Sequence, residues 1–164
     1  MDGLTGAVCV TPLGPFGFIE REGKVIVSGF TDDLQQLADE IGVSDAKVGD
    51  AHGSANADLI DRYFDGDVRA LDKIEVHQEG TTFRRAVWAE LRQITPGEPV
   101  SYGELAERVG APRAARAVGT SCATNPVALI VPCHRVVKSG GAPGKYGWEP
   151  KRKTWLLDHE KKHA

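Results

Sequence analysis

Two short helical segments joined by about three residues constrain the fold of this chain more than any other feature. Ser101 and Glu104 form an S-x-x-E capping box, and Gly110 suits the end of the helix that they begin. Pro112 can then be the first residue of the next helix, PRAARAVGTSCATN. The pattern predicts a helix-turn-helix, although any two helices that meet at a corner give a similar pattern.

The second of these helices is thin. Arg113 and Arg116 are its only long side chains, and small residues surround them; these are Ala111, Ala114, Ala115, Ala117 and Gly119. A helix of this kind can come close either to a neighbouring helix or to a narrow groove of another molecule. Both interpretations remain open at this point.

The first half of the chain has the pattern of a small α/β unit. The stretch FGFIEREGKVIVSGF has apolar residues alternating on both sides of Glu22-Gly23, which predicts a β-hairpin. Asp32 or Asp33 can cap a short helix that follows the hairpin.

The remaining elements are assigned by the same reasoning. We predict a loop at 43–56, a second short helix at 57–64 and a return to the sheet at 68–76. An N-terminal domain, 1–78, is then followed by a C-terminal domain, 79–164.

The C-terminal domain is mostly helical. Phe83, Val87 and Leu91 recur at the spacing of one helix face, and a basic helix is predicted at 151–162. Between the helices, NPVALIVPCHRVV forms an apolar, β-like run that places Cys133 just beyond its end.

Composition favours a cytosolic protein. The chain is 41% hydrophobic and 26% charged, and no apolar run approaches the roughly 18 residues that span a bilayer. The first residues lack the basic-then-apolar order of a secretory signal, so we expect a cytoplasmic location. Three cysteines are expected to stay reduced there, and without a CxxC pair no metal site is predicted.

The charge is unevenly distributed. Residues 1–80 carry a formal charge of −10 and residues 81–164 carry +7. A basic C-terminal half can bind a polyanion, or it can simply be a solvated basic face.

The stretch VPCHRVV has three possible interpretations. Cys133 can be a small core residue, half of a metal site, or a nucleophile with a base beside it. As a nucleophile it needs help, because a free thiol has a pKa of about 8.5. His134 points away from it on an extended chain, so a bridging water is plausible, and Asp158 or Glu160 can orient the imidazole.

The same segments resemble one known family. NPVALIVPCHRVV, VSYGELAERVGAPRAARAVG, KYGW and RKTWLLDHE are similar to the O6-alkylguanine-DNA alkyltransferases, also called methylated-DNA–protein-cysteine methyltransferases. The resemblance covers residues 81–160, and the N-terminal half is similar only in outline. It implies an RNase H-like N-terminal domain with a small antiparallel sheet and helices. The C-terminal domain would be mainly helical and contain a DNA-binding helix-turn-helix.

The resemblance also implies roles for individual residues. Cys133 would accept the alkyl group, His134 would be its base through a water, and Glu160 would orient His134. Tyr102 would donate a proton to the departing guanine and contact a phosphate, and Asn125 would brace the turn before the active-site segment.

Further residues would bind DNA and form the pocket. Arg116 would enter the base stack in place of the flipped nucleotide. The other expected DNA contacts are Arg113, Tyr102, Ala115, Ala117 and Arg135. The expected pocket residues are Val136, Tyr146, Gly147 and Trp148.

The implied activity is stoichiometric DNA repair. A monomer without cofactor, with cooperative assembly on DNA as an alternative, would bind double-stranded DNA through the minor groove. It would move one alkyl group irreversibly from guanine O6, with thymine O4 as a second candidate, to Cys133. Because O6 lies inside the duplex, the base must leave the stack. Three alternatives remain: a non-catalytic binder of alkylated DNA, which would have tryptophan at position 133, a helix-turn-helix regulator, and a cysteine hydrolase. Glu149, Pro150 and Cys122 depart from the family's pocket pattern.

Overall fold

The computed structural model describes residues 3–51 and 53–164. It divides into two compact units. The first contains the chain up to Gln78 together with Pro126–Ile130, and the second contains Glu79–Asn125 and Val131–Ala164. None of the helices in the described ranges is long and apolar enough to cross a membrane.

A four-stranded sheet forms the centre of the first unit. Its strands are β1 (Leu4–Thr11), β2 (Gly14–Arg21), β3 (Lys24–Gly29) and β4 (Val48–Asp50), in the order β3-β2-β1-β4. The first three are antiparallel neighbours, whereas β4 runs parallel to β1. The sheet is therefore mixed, and the expectation of an antiparallel sheet was wrong for β4.

The prediction of a loop at 43–56 was wrong in part. It contains β4, and it also contains the start of a helix at Ala55. A strand of three residues is too short to show an alternating pattern, and its parallel partner lies far away in the sequence.

The predicted hairpin is confirmed. Glu22 and Gly23 have φ values of 53° and 82°, as a two-residue turn between β2 and β3 requires. One glycine of β2 has a packing role, because a Cβ at Gly17 would lie 2.9 Å from the Thr31 carbonyl oxygen and 3.1 Å from Leu34. A larger residue there would clash with the segment that leads into the first helix.

Two helices pack against this sheet. Helix α1 (Leu34–Glu40) begins after Asp33, whose side chain accepts the Gln36 amide hydrogen, and it packs on β2. Helix α2 (Ala55–Phe64) packs on β1. The segment 68–76 was predicted to return to the sheet, and there Val76 forms an isolated β-bridge with Val25 of β3.

The second unit is mostly helical, as predicted. Its elements are α3 (Thr82–Leu91), β5 (Val100–Ser101), α4 (Tyr102–Arg108), α5 (Ala115–Ala123), β6 (Val136–Val137) and α6 (Pro150–His163). The strands β5 and β6 pair in parallel. The helices bury an apolar core that includes Val87, Trp88, Leu91, Leu105, Val118 and Leu156.

The capping box is confirmed, but the following helix starts later than predicted. Ser101 accepts the Glu104 amide hydrogen, and the Glu104 carboxylate accepts the Ser101 amide hydrogen. Pro112 does not begin α5, because the Ala114 N–H donates to the Ala111 carbonyl at 2.8 Å and forms a turn. The connection from α4 to α5 is longer as a result.

The apolar run before Cys133 is not a strand. Val127 forms a single bridge with Ser28, and the residues after it form turns in which Leu129 has a φ of 70°. All five residues from Val127 to Val131 are buried. A short apolar run cannot be distinguished from a buried irregular segment by its pattern alone, which is why the prediction failed.

Candidate active site

Cys133 lies at the start of a 3-10 helix, Cys133–Arg135, and borders a cavity of about 730 Å³. The cavity also contacts residues of α4, α5 and the loop before α6; those used below are Tyr102, Arg116, Cys122, Tyr146 and Gly147. As a residue, Cys133 is half-buried, and the cavity gives access to it.

Asn125 holds the chain on the approach to Cys133. Its side-chain amide donates to the Val131 carbonyl at 2.9 Å, so it ties the end of α5 to the residue two positions before the cysteine. Its side chain also interacts with the thiol and lowers the pKa of Cys133.

Behind the cysteine, His134 and Glu160 form a buried pair. The distance from His134 Nε2 to Glu160 Oε2 is 2.8 Å, and His134 is fully buried. Of the two carboxylates that could orient the imidazole, Glu160 does so, whereas Asp158 is exposed on the other side of α6. The residue pattern alone left this choice open, whereas the family resemblance implied Glu160.

The charges of the pair determine which imidazole nitrogen carries the proton. Burial lowers the pKa of His134 more than Glu160 raises it, so the ring is neutral at pH 7. The Glu160 carboxylate has a pKa far below its usual range, because His134 and Arg135 stabilise its charge. Nε2–H of His134 therefore donates to Glu160, and Nδ1 has a lone pair.

Nδ1 of His134 is a buried atom without a hydrogen-bond partner in the described part of the chain. A buried lone pair of this kind can accept a proton directly or through a water. The Cys133 thiol needs such an acceptor, because burial raises its pKa. Asn125, Lys153 and a backbone hydrogen bond offset part of that increase.

Arg135 does not have the position that was expected of a DNA contact. Its guanidinium is 3% exposed and donates to both Glu160 oxygens, at 2.8 Å and 3.0 Å, and to the Ile94 carbonyl. The prediction for Arg135 is corrected: the residue is buried behind the site and is not available to a phosphate.

The other predicted DNA contacts lie on α4, on α5 or just before α5. Tyr102 borders the cavity, and burial raises its pKa, so the phenol stays protonated. Ala115 and Arg116 border the same cavity. Arg113 and Ala117 are exposed outside it.

Two of the predicted pocket residues, Tyr146 and Gly147, border the cavity. Trp148 is half-buried and Val136 is fully buried, and neither borders the cavity. The Tyr146 hydroxyl is a second buried atom that has no partner within the described residues.

The departures from the family pattern have local explanations. Glu149 has a φ of 81°, and Pro150 is the first residue of α6, where a proline is favoured. Cys122 borders the cavity, but burial raises the pKa of its thiol to about 12. Cys122 is therefore protonated at neutral pH, unlike a nucleophilic cysteine.

Lys153 was not predicted, but it lies directly behind two residues that border the cavity, Lys145 and Tyr102. It is 1% exposed, its ammonium donates to the Lys145 carbonyl at 3.1 Å, and it lies 5.9 Å from the Tyr102 ring centroid. Lys153, Leu156 and Glu160 fall at i, i+3 and i+7, on one helix face. A lysine on the face that buries Leu156 was the signal that could have identified it.

The string HEKKH at residues 159–163 matches a zinc-protease motif but does not form one. Glu160 is bonded to His134 and Arg135, while His159 stacks on Trp155 with a centroid distance of 4.6 Å. Within residues 3–51 and 53–164, no group of three or more metal-binding side chains occurs.

Comparisons with known proteins show the family of this chain. Residues 82–162 match the family model described as 6-O-methylguanine DNA methyltransferase, DNA binding domain. A methylated-DNA–protein-cysteine methyltransferase of Shigella flexneri is 35% identical over 156 residues, which are 92% of this chain and 91% of that protein.

Solved structures are similar as well. The crystal structure of the Mycobacterium tuberculosis O6-methylguanine methyltransferase matches with a TM-score of 0.81 and 32% identity, over 98% of this chain and 94% of that one. A crystal structure of the Mycobacterium tuberculosis protein in complex with DNA also matches with a TM-score of 0.81, at 33% identity and the same coverage.

Proposed function

Because the chain belongs to the methylated-DNA–protein-cysteine methyltransferase family, we propose that it repairs O6-alkylguanine in DNA by moving the alkyl group to its own Cys133. One observation carries the proposal for this chain. The Cys133 thiol borders a cavity, and behind it a neutral His134 has one nitrogen bonded to Glu160 and a lone pair on the other.

The transfer exchanges one bond for another. The Cys133 sulfur attacks the alkyl carbon, a sulfur–carbon bond forms, and the bond between that carbon and guanine O6 breaks. The thiol proton passes to His134 Nδ1, through one bridging water, and Glu160 stabilises the imidazolium that results. Burial raises the pKa of Tyr102, so its phenol is protonated before the reaction and donates a proton to the departing guanine. The His134 imidazolium then returns the thiol proton to Tyr102 through solvent, so the net result moves that proton from Cys133 to guanine.

The product explains why the reaction occurs once. A thioether has no carbonyl for water to attack and no good leaving group, so Cys133 is not regenerated. Thymine O4 is a second, chemically similar alkyl-bearing oxygen that the same thiol can attack.

We propose that α4 and α5 form a helix-turn-helix that binds double-stranded DNA. The alanines of α5 leave it thin enough for the minor groove, which is about 6 Å wide. Arg116, exposed and bordering the cavity, fills the space of the flipped base, while Arg113 and Tyr102 contact phosphates. Ala115 and Ala117 permit the close approach.

The flipped guanine occupies the cavity beside Cys133. Tyr146 forms one wall, the Gly147 N–H is directed to O6, and Trp148 supports the loop behind them. The carbonyls of Cys133 and Val136 accept the guanine amino group. Asn125 keeps the turn before Cys133 in place.

The first unit is proposed to be an RNase H-like domain, with the boundary of the two domains near residue 78. Its β3-β2-β1-β4 order, with only β4 parallel to its neighbour, supports this assignment. We further propose that the protein acts as a monomer in the cytoplasm.

The proposed repair function is tested by the number of guanines that one protein chain repairs. A limiting amount of protein is mixed with excess duplex that contains O6-methylguanine, and the repaired guanines are counted while the Cys133 peptide is weighed by mass spectrometry. We expect a plateau near one repaired guanine per chain and one added methyl group on that peptide. Continued product formation would indicate a turnover hydrolase, and binding without methyl transfer would indicate a non-catalytic binder.

A further inference from the structure

Lys153 is a buried lysine without a carboxylate partner. Its side chain is 1% exposed, and its one hydrogen bond among the described residues goes to the neutral carbonyl of Lys145. No ion pair joins it to an Asp or Glu of those residues. An unpaired buried ammonium is costly, so its retention at this position requires an explanation.

The anions that can form near this ammonium are thiolates. Burial lowers the pKa of Lys153, whereas the charges of Cys133 and Cys122 raise it. The Lys153 charge also lowers the pKa of His134, so Lys153 favours the thiolate over the imidazolium. Because burial keeps Cys122 protonated, with a pKa of about 12, Cys133 is the thiol that His134 can deprotonate.

Helix α6 supplies both charges of the site from one face. Glu160 is bonded to His134, and Lys153 lies two turns earlier on the same buried face. Lys153 does not border the cavity itself, but the residue that it binds, Lys145, does. Its ammonium also lies 5.9 Å from the ring centroid of Tyr102, which borders the same cavity as Cys133. The ammonium is therefore placed behind the cavity wall, close to the thiol.

We propose that Lys153 is a positioning residue that provides the counter-ion for the Cys133 thiolate during alkyl transfer. The ammonium keeps its proton throughout, the thiol proton goes to His134, and the transient negative charge on sulfur lies in the field of Lys153. Through the Lys145 carbonyl, the same side chain holds the loop that forms one wall of the pocket. The inference rests on the proposed function.

The titratable groups around Cys133 come from every neighbouring element. They are Tyr102 on α4, Arg116 and Cys122 on α5, His134 and Arg135 on the 3-10 helix, Lys138, Lys145 and Tyr146 between that helix and α6, and Lys153 and Glu160 on α6. A test must therefore change the charge of Lys153 while all of these remain.

The experiment measures how fast iodoacetamide modifies Cys133 at different pH values, followed on the Cys133 peptide by mass spectrometry. We expect Lys153→Met to raise the apparent pKa of Cys133 by about one unit, which is about a tenfold lower rate at neutral pH. Lys153→Arg, which keeps the charge, should restore most of the change. Lys151→Met removes an exposed lysine from the same helix and should leave the profile unchanged.

An unchanged profile in Lys153→Met, or an equal shift in Lys151→Met, would overturn the proposal. If Lys153→Met does not fold, the coupling is measured from the other side. The Lys153 ammonium is titrated by ¹⁵N NMR in the unaltered protein and in Cys133→Ser, whose hydroxyl does not form an anion. A lower Lys153 pKa in Cys133→Ser supports the counter-ion, because coupling between two sites is reciprocal; equal values contradict it.

The reaction with iodoacetamide needs neither DNA nor guanine. The repair function and the counter-ion role of Lys153 can therefore be rejected independently of each other. Loss of methyl transfer in the stoichiometry experiment, with the Lys153 effect intact, would reject the repair function alone. Normal methyl transfer with no Lys153 effect would reject the counter-ion alone.

Discussion

The Nε2–H of His134 donates to Glu160 across 2.8 Å, and both side chains are almost completely buried. Glu160 also accepts two hydrogen bonds from Arg135, so one carboxylate holds both residues that follow Cys133. The proposed base, His134, and the local fold therefore depend on the same carboxylate.

Replacing Glu160 with Gln should slow alkylation of Cys133 at neutral pH and lower the stability of the protein. The imidazolium of His134 loses its negative partner, so the rate should increase only at higher pH than in the wild type. Arg135 would remain buried without an anion, which costs about 3–5 kcal/mol. Asp158→Asn is the control, because Asp158 is exposed on the same helix. Equal effects of the two substitutions would contradict the role of Glu160 in orienting His134.

Acid should destabilise the protein in two steps. The pKa of His134 is lowered in the folded state, so the unfolded chain takes up a proton first as the pH falls below about 6.5. The pKa of Glu160 is also lowered, so its contribution is present above about pH 4.3 and is lost as the pH falls towards its folded value.

Urea unfolding of the wild type, measured across this range, should show that the free energy of unfolding decreases as the pH is lowered. The first step should be absent in His134→Gln and unchanged in His77→Gln, which alters an exposed histidine. If the first loss of stability persists in His134→Gln, protonation of His134 is not its cause.

Arg135 and Arg113 should differ in their effects on DNA binding. Arg135→Met should destabilise the fold by about 3–5 kcal/mol, because Glu160 loses its buried partner, yet leave the salt dependence of DNA binding unchanged. Arg113→Ala should leave stability nearly unchanged and reduce the slope of log affinity against log salt by about one, as expected for one lost phosphate contact. Fluorescence anisotropy at several salt concentrations measures both slopes, and a reduced slope in Arg135→Met would contradict its buried role.

Arg116→Ala should impair repair of duplex DNA far more than reaction with free O6-benzylguanine. The flipped base leaves a gap in the stack that costs a few kcal/mol, and alanine cannot fill it, whereas a free base needs no flipping. Rates on the two substrates are compared in the same preparation. Equal losses on both would exclude the proposed role in the stack.

The elements that follow from short-range contacts were predictable. The turn at Glu22-Gly23 and the capping box of Ser101 and Glu104 depend on hydrogen bonds and backbone conformations within four residues. The sequence also pointed to Cys133 and His134 as candidate site residues, because their neighbours resemble a specific family motif. In each of these cases the deciding residues lie within one short segment of the chain.

What the tertiary structure decided concerns residues far apart in the chain. The pairing of β4 with β1 joins segments that are more than 40 residues apart. Whether Glu160 or Asp158 faces His134, whether Arg135 reaches solvent, and whether Lys153 is buried all depend on how α6 is rotated against the 3-10 helix. That rotation is set by burial of Leu156 and its neighbours in the shared core. A local pattern shows that a helix has charged and apolar faces, but packing determines which charges are buried and what they contact.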